Sequence, residues 1–368
     1  MKTIAIAALM LLGISSFSQR LLTTPPSGGN KKAAVKERIG ITDVTINYDR
    51  PRVNNREGKI WGQLVPVGYS DQQFGTSKAA PWRAGANECT TIDFSTDVKI
   101  EGQYLAAGKY GFFIAYGPEE STIIFSRDYT SWGSFYYDAS KNVLTAKIKP
   151  VALDKSVEWL KYEFVNQTEN SATIVLSWEK LSFPIKVEVD LLKTQIESFR
   201  KELRTDIGFT WMPWQIAAQW CVDHNTNLEE ALQWADTSIN PNVLGNKNFT
   251  SLSTKSQVLV KLGRNKEADA IMKEALPLGT MQEIHLYGRE LVRQKKNKEA
   301  LEVFQLNYNK NPNQFTTLFG LARGYSANGD YKKALEYAQK ALPLTPDKVN
   351  TLNVEKAIGL LKEGKDIN

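Results

Sequence analysis

The feature that most constrains this chain is a change of hydrophobic rhythm. From Ile39 to Asp190 apolar residues recur at every second position; from Pro213 onward they recur at helical spacing inside a beat of thirty-odd residues. A period of two buries one face of a strand, whereas a period near 3.6 buries one stripe of a helix. The chain is therefore expected to be multidomain, β + α, with an N-terminal antiparallel β-sandwich and a C-terminal α-helical solenoid.

In the β half, Val44, Ile46 and Tyr48 alternate with Thr45, Asn47 and Asp49. The same alternation runs through Ile92 and Phe94, Val98 and Ile100, Leu144 to Ile148, and Leu160 to Phe164. Tyr110 to Tyr116 is aromatic and β-prone, Thr122 to Phe125 is a short apolar run, and Ala172 to Trp178 and Ile185 to Val189 close the set. Some nine strands about ten residues apart, with turn signals between, predict a sandwich. One polar face per strand predicts sheets covered on one side. Glu101-Gly102 and Ala107-Gly108 put glycine where a turn needs positive φ.

Residues 191–212 change period. Leu191, Leu192, Ile196, Phe199 and Leu203 sit at helical spacing and predict a connecting helix that could lie against the sandwich.

In residues 213–368, Ala300 and Ala334 are 34 apart, as are Pro312 and Pro346. The last unit carries Leu318, Leu321, Ala322, Tyr325, Gly329, Tyr331, Ala334, Ala341 and Pro346. This pattern resembles the tetratricopeptide repeat, in which small residues sit where two helices of a hairpin cross closely. The resemblance implies about four hairpins, then a capping helix from Val349 to Lys362. The interval from Ala231 to Ala268 is longer than the beat and that from Ala268 to Ala300 is shorter, so the connections should differ in length.

The front end reads differently. Lys2 followed by the apolar run Ile4 to Ile14 and then Ser15, Ser16 and Ser18 reads as a secretory signal over residues 1–19, cut near Ser18 or Gln19. No cysteine follows the run, so no lipid anchor of the bacterial lipoprotein type is expected. Residues 20–38, with TTPPSGGNKK, read as a linker. No later stretch is apolar for 18 residues, so the mature chain is expected to be periplasmic or secreted, without a transmembrane span.

Charge and cysteine content narrow the partners. The formal net charge of +6 is shared evenly, half before Pro213 and half after, so no basic stripe for nucleic acid forms. The two cysteines, Cys89 and Cys221, fall in different halves and read as unpaired thiols. Cys221 and His224 form a lone C-x-x-H pair without a second pair, and no metal or other cofactor is expected.

Three groups in the β half concentrate polar and aromatic residues: YDRPRVNNR with KIWG, WRAGANE, and WGSFYYD. These blocks, together with IWG-x-LVP, LAAGKYGFF and EWLKYEF in this order, make residues 22 to 190 resemble a bacterial exported family known as domain of unknown function 2911. The resemblance implies a fold and an exported location but no reaction. A polar loop, GYSDQQFGTSKAA, stands where a shorter link is expected, and reads as a lid or an insertion.

From these groups the candidate ligand-binding residues are Arg50, Arg52, Trp61, Trp82, Arg83, Asn87, Glu88 and Trp132. Arginine offers a planar fork to a carboxylate, and tryptophan can stack on a sugar ring. Three readings stand side by side. The cluster holds a glycan or small anionic ligand; or Glu88 and Asp49 form a hydrolase's carboxylate pair; or Arg83 and Arg50 neutralise Glu88 and Asp49 while Trp82 and Trp132 are core. No nucleophile motif and no histidine lie in this half, so no catalytic residue is assigned. Glu88 beside Cys89 should raise that thiol's pKa.

In the helical half, Trp211, Trp214, Tyr287 and Tyr325 are candidates for a partner-binding face. The alternative is packing, in which Trp211, Trp214, Trp220 and Trp234 seal the array against the connecting helix. The reading that fits most of these features is an exported, non-enzymatic scaffold whose repeats dock a protein or peptide partner.

Overall fold

A computed structural model describes residues 29–242 and 244–368. The expected signal peptide, residues 1–19, lies outside the described residues. The chain divides into two units at Leu191/Leu192, each treated by itself.

The first unit is a pair of antiparallel sheets. Its strands are β1 (Lys31–Ile39), β2 (Thr42–Arg50), β3 (Thr91–Phe94), β4 (Val98–Ile100), β5 (Gln103–Leu105), β6 (Gly108–Ala115), β7 (Ser121–Ser126), β8 (Asn142–Ile148), β9 (Val151–Val165) and β10 (Ser171–Glu188). One sheet has the order β1-β2-β3-β6-β7-β8 and the other β5-β4-β10-β9. Val44, Ile46, Ile92, Phe112 and Ile123 of the first sheet share one buried cluster with Ile100, Leu160, Ile174, Trp178 and Ile185 of the second. That is sandwich packing of two inner faces.

Three expectations change. The linker ends sooner than residue 38, because Lys31–Ile39 pairs along its whole length with β2. Its lysine-rich run reads as polar filler, but charged side chains are what an edge strand carries to blunt further pairing. The two segments around Trp178 and Ile185 form one strand, kinked at Glu179 (φ 52), where the register with β9 shifts. Finally, β6 and β7 are covered on both faces. Phe113, Ala115 and Ile124 pack outward against Cys89 and Tyr137, so the Trp132–Asp138 segment covers the sheet here.

The second unit begins with α1 (Leu191–Glu202) and continues through α2 (Trp211–Asp223), α3 (Leu228–Ile239), α4 (Phe249–Lys261), α5 (Asn265–Ala275), α6 (Met281–Arg293), α7 (Asn297–Lys310), α8 (Phe315–Ala327), α9 (Tyr331–Ala341) and α10 (Lys348–Lys362). From α2 to α9 consecutive helices pair as hairpins, and α10 packs on α9. Small residues sit at the crossings: Ala217 and Ala218 meet Ala231 and Ala235, and Ala322 meets Ala334 and Ala338. Helix starts are fixed by side chains. Asn248 with Ser251, and Thr280 with Glu283, form reciprocal capping boxes. The α1 helix buries Ile196 and Phe199 in the core of the first hairpin, so it opens the helical array.

Candidate functional site

The segment Pro81–Asn87 lies beside β6. The Trp82 N–H donates to Ile114 O (2.9 Å) and the Ile114 N–H donates back to Trp82 O (2.8 Å). Past Trp82 the chain turns sharply, with Ala84 at φ 48 and Asn87 at φ 52. The turn is held from below, where the Tyr162 hydroxyl donates to Ala84 O at 2.8 Å. Over-determination of this kind is what keeps residues in the left-handed region.

This turn forms one wall of a cavity of about 280 Å³, with Trp82, Arg83, Asn87, Ser134 and Trp178 among its lining. The Arg83 guanidinium donates to Asn87 O (2.7 Å) and lies over the Phe135 ring, 5.0 Å from its centre. Its path needs Gly133 (φ 62), since a Cβ there would stand 2.2 Å from Nη1. Burial lowers the Arg83 pKa, and among the described residues no carboxylate pairs with it. Arg56 also lines the cavity, donating to Val53 O (3.0 Å) and Arg52 O (2.7 Å), and no aspartate or glutamate lines it at all. The polar loop adds Ser70 and Gln72 to the lining. It is pinned by Thr76 and Ser77, whose N–H groups both donate to Phe135 O at 3.0 Å.

Glu88 and Asp49 lie elsewhere, on a groove of about 550 Å³ with Lys32, Thr91, Tyr129 and Ser131. Asp49 is only 4% exposed, and its Oδ1 is buried without a partner. Burial, then hydrogen bonding and repulsion from Glu88, push the Asp49 pKa up to about 6. Glu88 moves the other way, lowered by its hydrogen bond with Asp49 and then by Lys32. The Lys32 Nζ lies 2.5 Å from Glu88 and 3.8 Å from Asp49. The two acids therefore ionise in turn, Glu88 first and Asp49 last. Glycoside hydrolysis needs them about 5 to 10 Å apart. Here Asp49 is almost wholly buried and both carboxyls gather on Lys32, which is the arrangement of an ion-pair cluster and not of an acid and a base facing a substrate.

The expected arginine pairs are also absent. Arg50 donates to Leu160 O (2.8 Å), and both Arg50 and Arg52 approach the Trp159 ring, at 5.9 and 5.2 Å. Arg52 pairs with Glu158 at 3.3 Å. Lysine from the edge strand, a stretch expected to be linker, neutralises the carboxylates instead. Trp61 packs in the core, 5.5 Å from Trp82 and 5.8 Å from Trp178, whereas Trp132 is exposed. The Cys89 thiol is pushed up to about 12, but the leading cause is burial, not the neighbouring Glu88. Of the eight candidates, Trp82, Arg83 and Asn87 converge on one cavity.

In the helical unit, Trp214 donates its indole N–H to Gly208 O (2.8 Å), and Phe199 lies edge-on to Trp220 (5.6 Å) and Trp234 (6.1 Å). That is packing around α1, with Trp211 half-buried beside it at the start of α2. Tyr287 packs between two hairpin cores. Tyr325 stacks on Tyr337 at 5.5 Å and borders a shallow groove of α7 and α8. Other residues are the exposed apolar ones, among them Phe209, Met212 and Ile216 near the start of the array, Val260 on α4, Leu286 on α6 and Val349 on α10.

Residues 30–187 match the family model described as "Protein of unknown function (DUF2911)", and residues 294–347 match a tetratricopeptide repeat model. The chain joins a DUF2911 domain to tetratricopeptide repeats. No curated protein matches the chain. Among solved structures it is similar to MamA 41-end from Desulfovibrio magneticus RS-1, at 21% identity over 42% of this chain and 90% of that one, with a TM-score of 0.29. It is also similar to YrrB, titled a TPR protein with an unusual peptide-binding site, at 22% identity over 44% of this chain and 99% of that one, with a TM-score of 0.24.

Within the DUF2911 domain, sequence reasoning missed Ser134 and Trp178 as cavity residues and Lys32 as the partner of the carboxylates. Ser134 lies inside WGSFYYD, a block already singled out, but its serine has no sequence signal of its own. Trp178 reads as an ordinary core position of an alternating strand, and only the fold sets it behind Trp82, ring centres 6.0 Å apart. The tetratricopeptide repeats point to protein–protein interaction, and among the described residues no helix is long and apolar enough to cross a membrane.

Proposed function

We propose that this is an exported binding protein whose tetratricopeptide repeats dock a protein or peptide partner. The observation that carries this reading is a groove of about 850 Å³ lined by Leu286, Arg289 and Arg323. Leu286 is half-exposed and offers the groove an apolar anchor point. Burial and the nearby Arg289 charge both lower the Arg323 pKa, and Asp366 offsets them only in part. Arg289, Arg293, Lys295 and Arg323 outweigh Glu290 and Asp366 in the lining, and this excess of positive charge beside an exposed leucine favours an acidic segment with an apolar residue.

The test uses the full chain as bait in envelope extract, with wild type, Arg289→Glu and Leu286→Asp compared. A partner recovered by wild type and lost by both variants supports the groove. A partner that both variants retain overturns it. Export is tested by the mass of the mature protein: a new N-terminus near Ser18 or Gln19 supports it, and an intact leader on cytosolic protein overturns it.

A second reading concerns the DUF2911 domain, which we infer holds a small ligand. What favours it is the convergence of Trp82, Arg83 and Asn87 on one cavity.

A further inference from the structure

The DUF2911 cavity is lined by hydrogen-bond donors that have nothing to donate to. Ser134 is 2% exposed and its hydroxyl has no partner. Trp178 is 1% exposed and its indole N–H, which can only donate, has no partner either. Arg83 uses Nη1 on Asn87 O, and the rest of its fork has no carboxylate among the described residues. A buried donor left unmade costs about 1–3 kcal/mol; Trp61 Nε1 and Thr91 Oγ1 of this domain are unpartnered too, but Ser134 and Trp178 line one cavity together with the half-buried Arg83 guanidinium.

The charge balance points the same way. Two guanidiniums, Arg56 and Arg83, line the cavity and no acidic side chain does. The neighbouring cluster sets one cation, Lys32, against two acids, Asp49 and Glu88, whereas the cavity holds two cations and no acid. A cavity of about 280 Å³ has room for roughly nine waters at about 30 Å³ each, or for one small organic molecule. Trp82 and Trp178, nearly parallel at 20°, give that molecule an apolar backing.

We propose that this cavity binds a small organic oxyanion, with Arg83 as the charged fork and the Ser134 hydroxyl and Trp178 N–H as neutral donors. The inference rests on the reading that the DUF2911 domain holds a ligand, and adds what that ligand must present: acceptor oxygens and negative charge. A carboxylate and a phosphate ester share that chemistry.

The full chain is titrated with inorganic phosphate, glucuronate and glucose, followed by tryptophan emission and by melting temperature. Wild type should respond saturably to phosphate or to glucuronate and not to glucose. The anion that binds tells a phosphate-bearing ligand from a carboxylate-bearing one. Arg83→Met keeps the apolar stem over Phe135 and removes the fork, so affinity should fall about tenfold to a hundredfold. Ser134→Ala should weaken binding by a smaller factor without lowering the unliganded melting temperature, which keeps the test intact if Arg83→Met folds poorly. An equal response to glucose, or anion binding unchanged in both variants, overturns the oxyanion and leaves the ligand reading standing. No response to any of the three, with ordered water alone bridging Ser134 and Trp178 in a high-resolution crystal structure, overturns both.

Discussion

Phe304 is the pivot of the repeat array, and its packing can be tested by a double-mutant cycle. The ring is 1% exposed and sits in a hollow whose walls are glycines of two other helices. A Cβ added at Gly288 would lie 2.6, 2.9 and 2.9 Å from three atoms of that ring. Carbon atoms prefer about 3.5–4.0 Å, so the ring would have to move by close to 1 Å. Its room to move is small, because Gly320 and Gly324 also close on it: a Cβ added at either would stand 2.9 Å from Cδ1 or Cδ2 of the ring. Gly288→Ala therefore costs about 1–3 kcal/mol in overpacking, against a helix-propensity gain of about 1 kcal/mol. Phe304→Leu removes ring atoms at a cost of about 1–2 kcal/mol. In the double variant the new methyl enters the space the ring vacates. The two changes should then couple favourably, by about 1 kcal/mol or more. Melting of the full chain followed by circular dichroism at the helical band reads this, at about 2–4 °C per kcal/mol for a unit of this size. Additive effects, or a Gly288→Ala variant more stable than wild type by its full helix-propensity gain, would refute the close contact.

Three further predictions follow from the same geometry. Asp49 should titrate near pH 6 by carboxyl NMR; Lys32→Met should raise that midpoint by removing a favourable charge, and Glu88→Gln should lower it. Because its folded pKa lies above the unfolded value, the Asp49 charge destabilises progressively as pH rises from about 4 through about 6, so Asp49→Asn should raise the melting temperature at pH 8 and lose that advantage at pH 4. Burial pushes Cys89 and Cys221 both up to about 12, so neither thiol should react with a disulfide reagent at pH 8 until denaturant is added. Tyr162→Phe removes the hydroxyl that holds Ala84 O and should cost about 1 kcal/mol by thermal melting, with weaker anion binding if that turn positions Arg83.

Both architectures can be read from the residues alone, because periodicity is local. Val44, Ile46 and Tyr48 must share a face whatever else the chain does, and alanines one beat apart must meet at equivalent crossings. The sequence also marked the blocks around Trp82 and Trp132 as dense in polar and aromatic groups. It misjudged Lys31 to Arg38, since a charged edge strand and a linker are written in the same residues and differ only in whether a neighbour pairs with them.

Which candidates meet depends on the packed fold. Arg83 and Glu88 are five residues apart, yet the left-handed turn through Ala84 and Asn87 sends one into the cavity and the other to the lysine groove. Ser134 and Trp178 reach the same cavity from 52 and 96 residues beyond Trp82, through sheet register that no local pattern encodes. Burial separates an arginine balanced at the surface from one left waiting for an anion, and burial is a property of the packed fold.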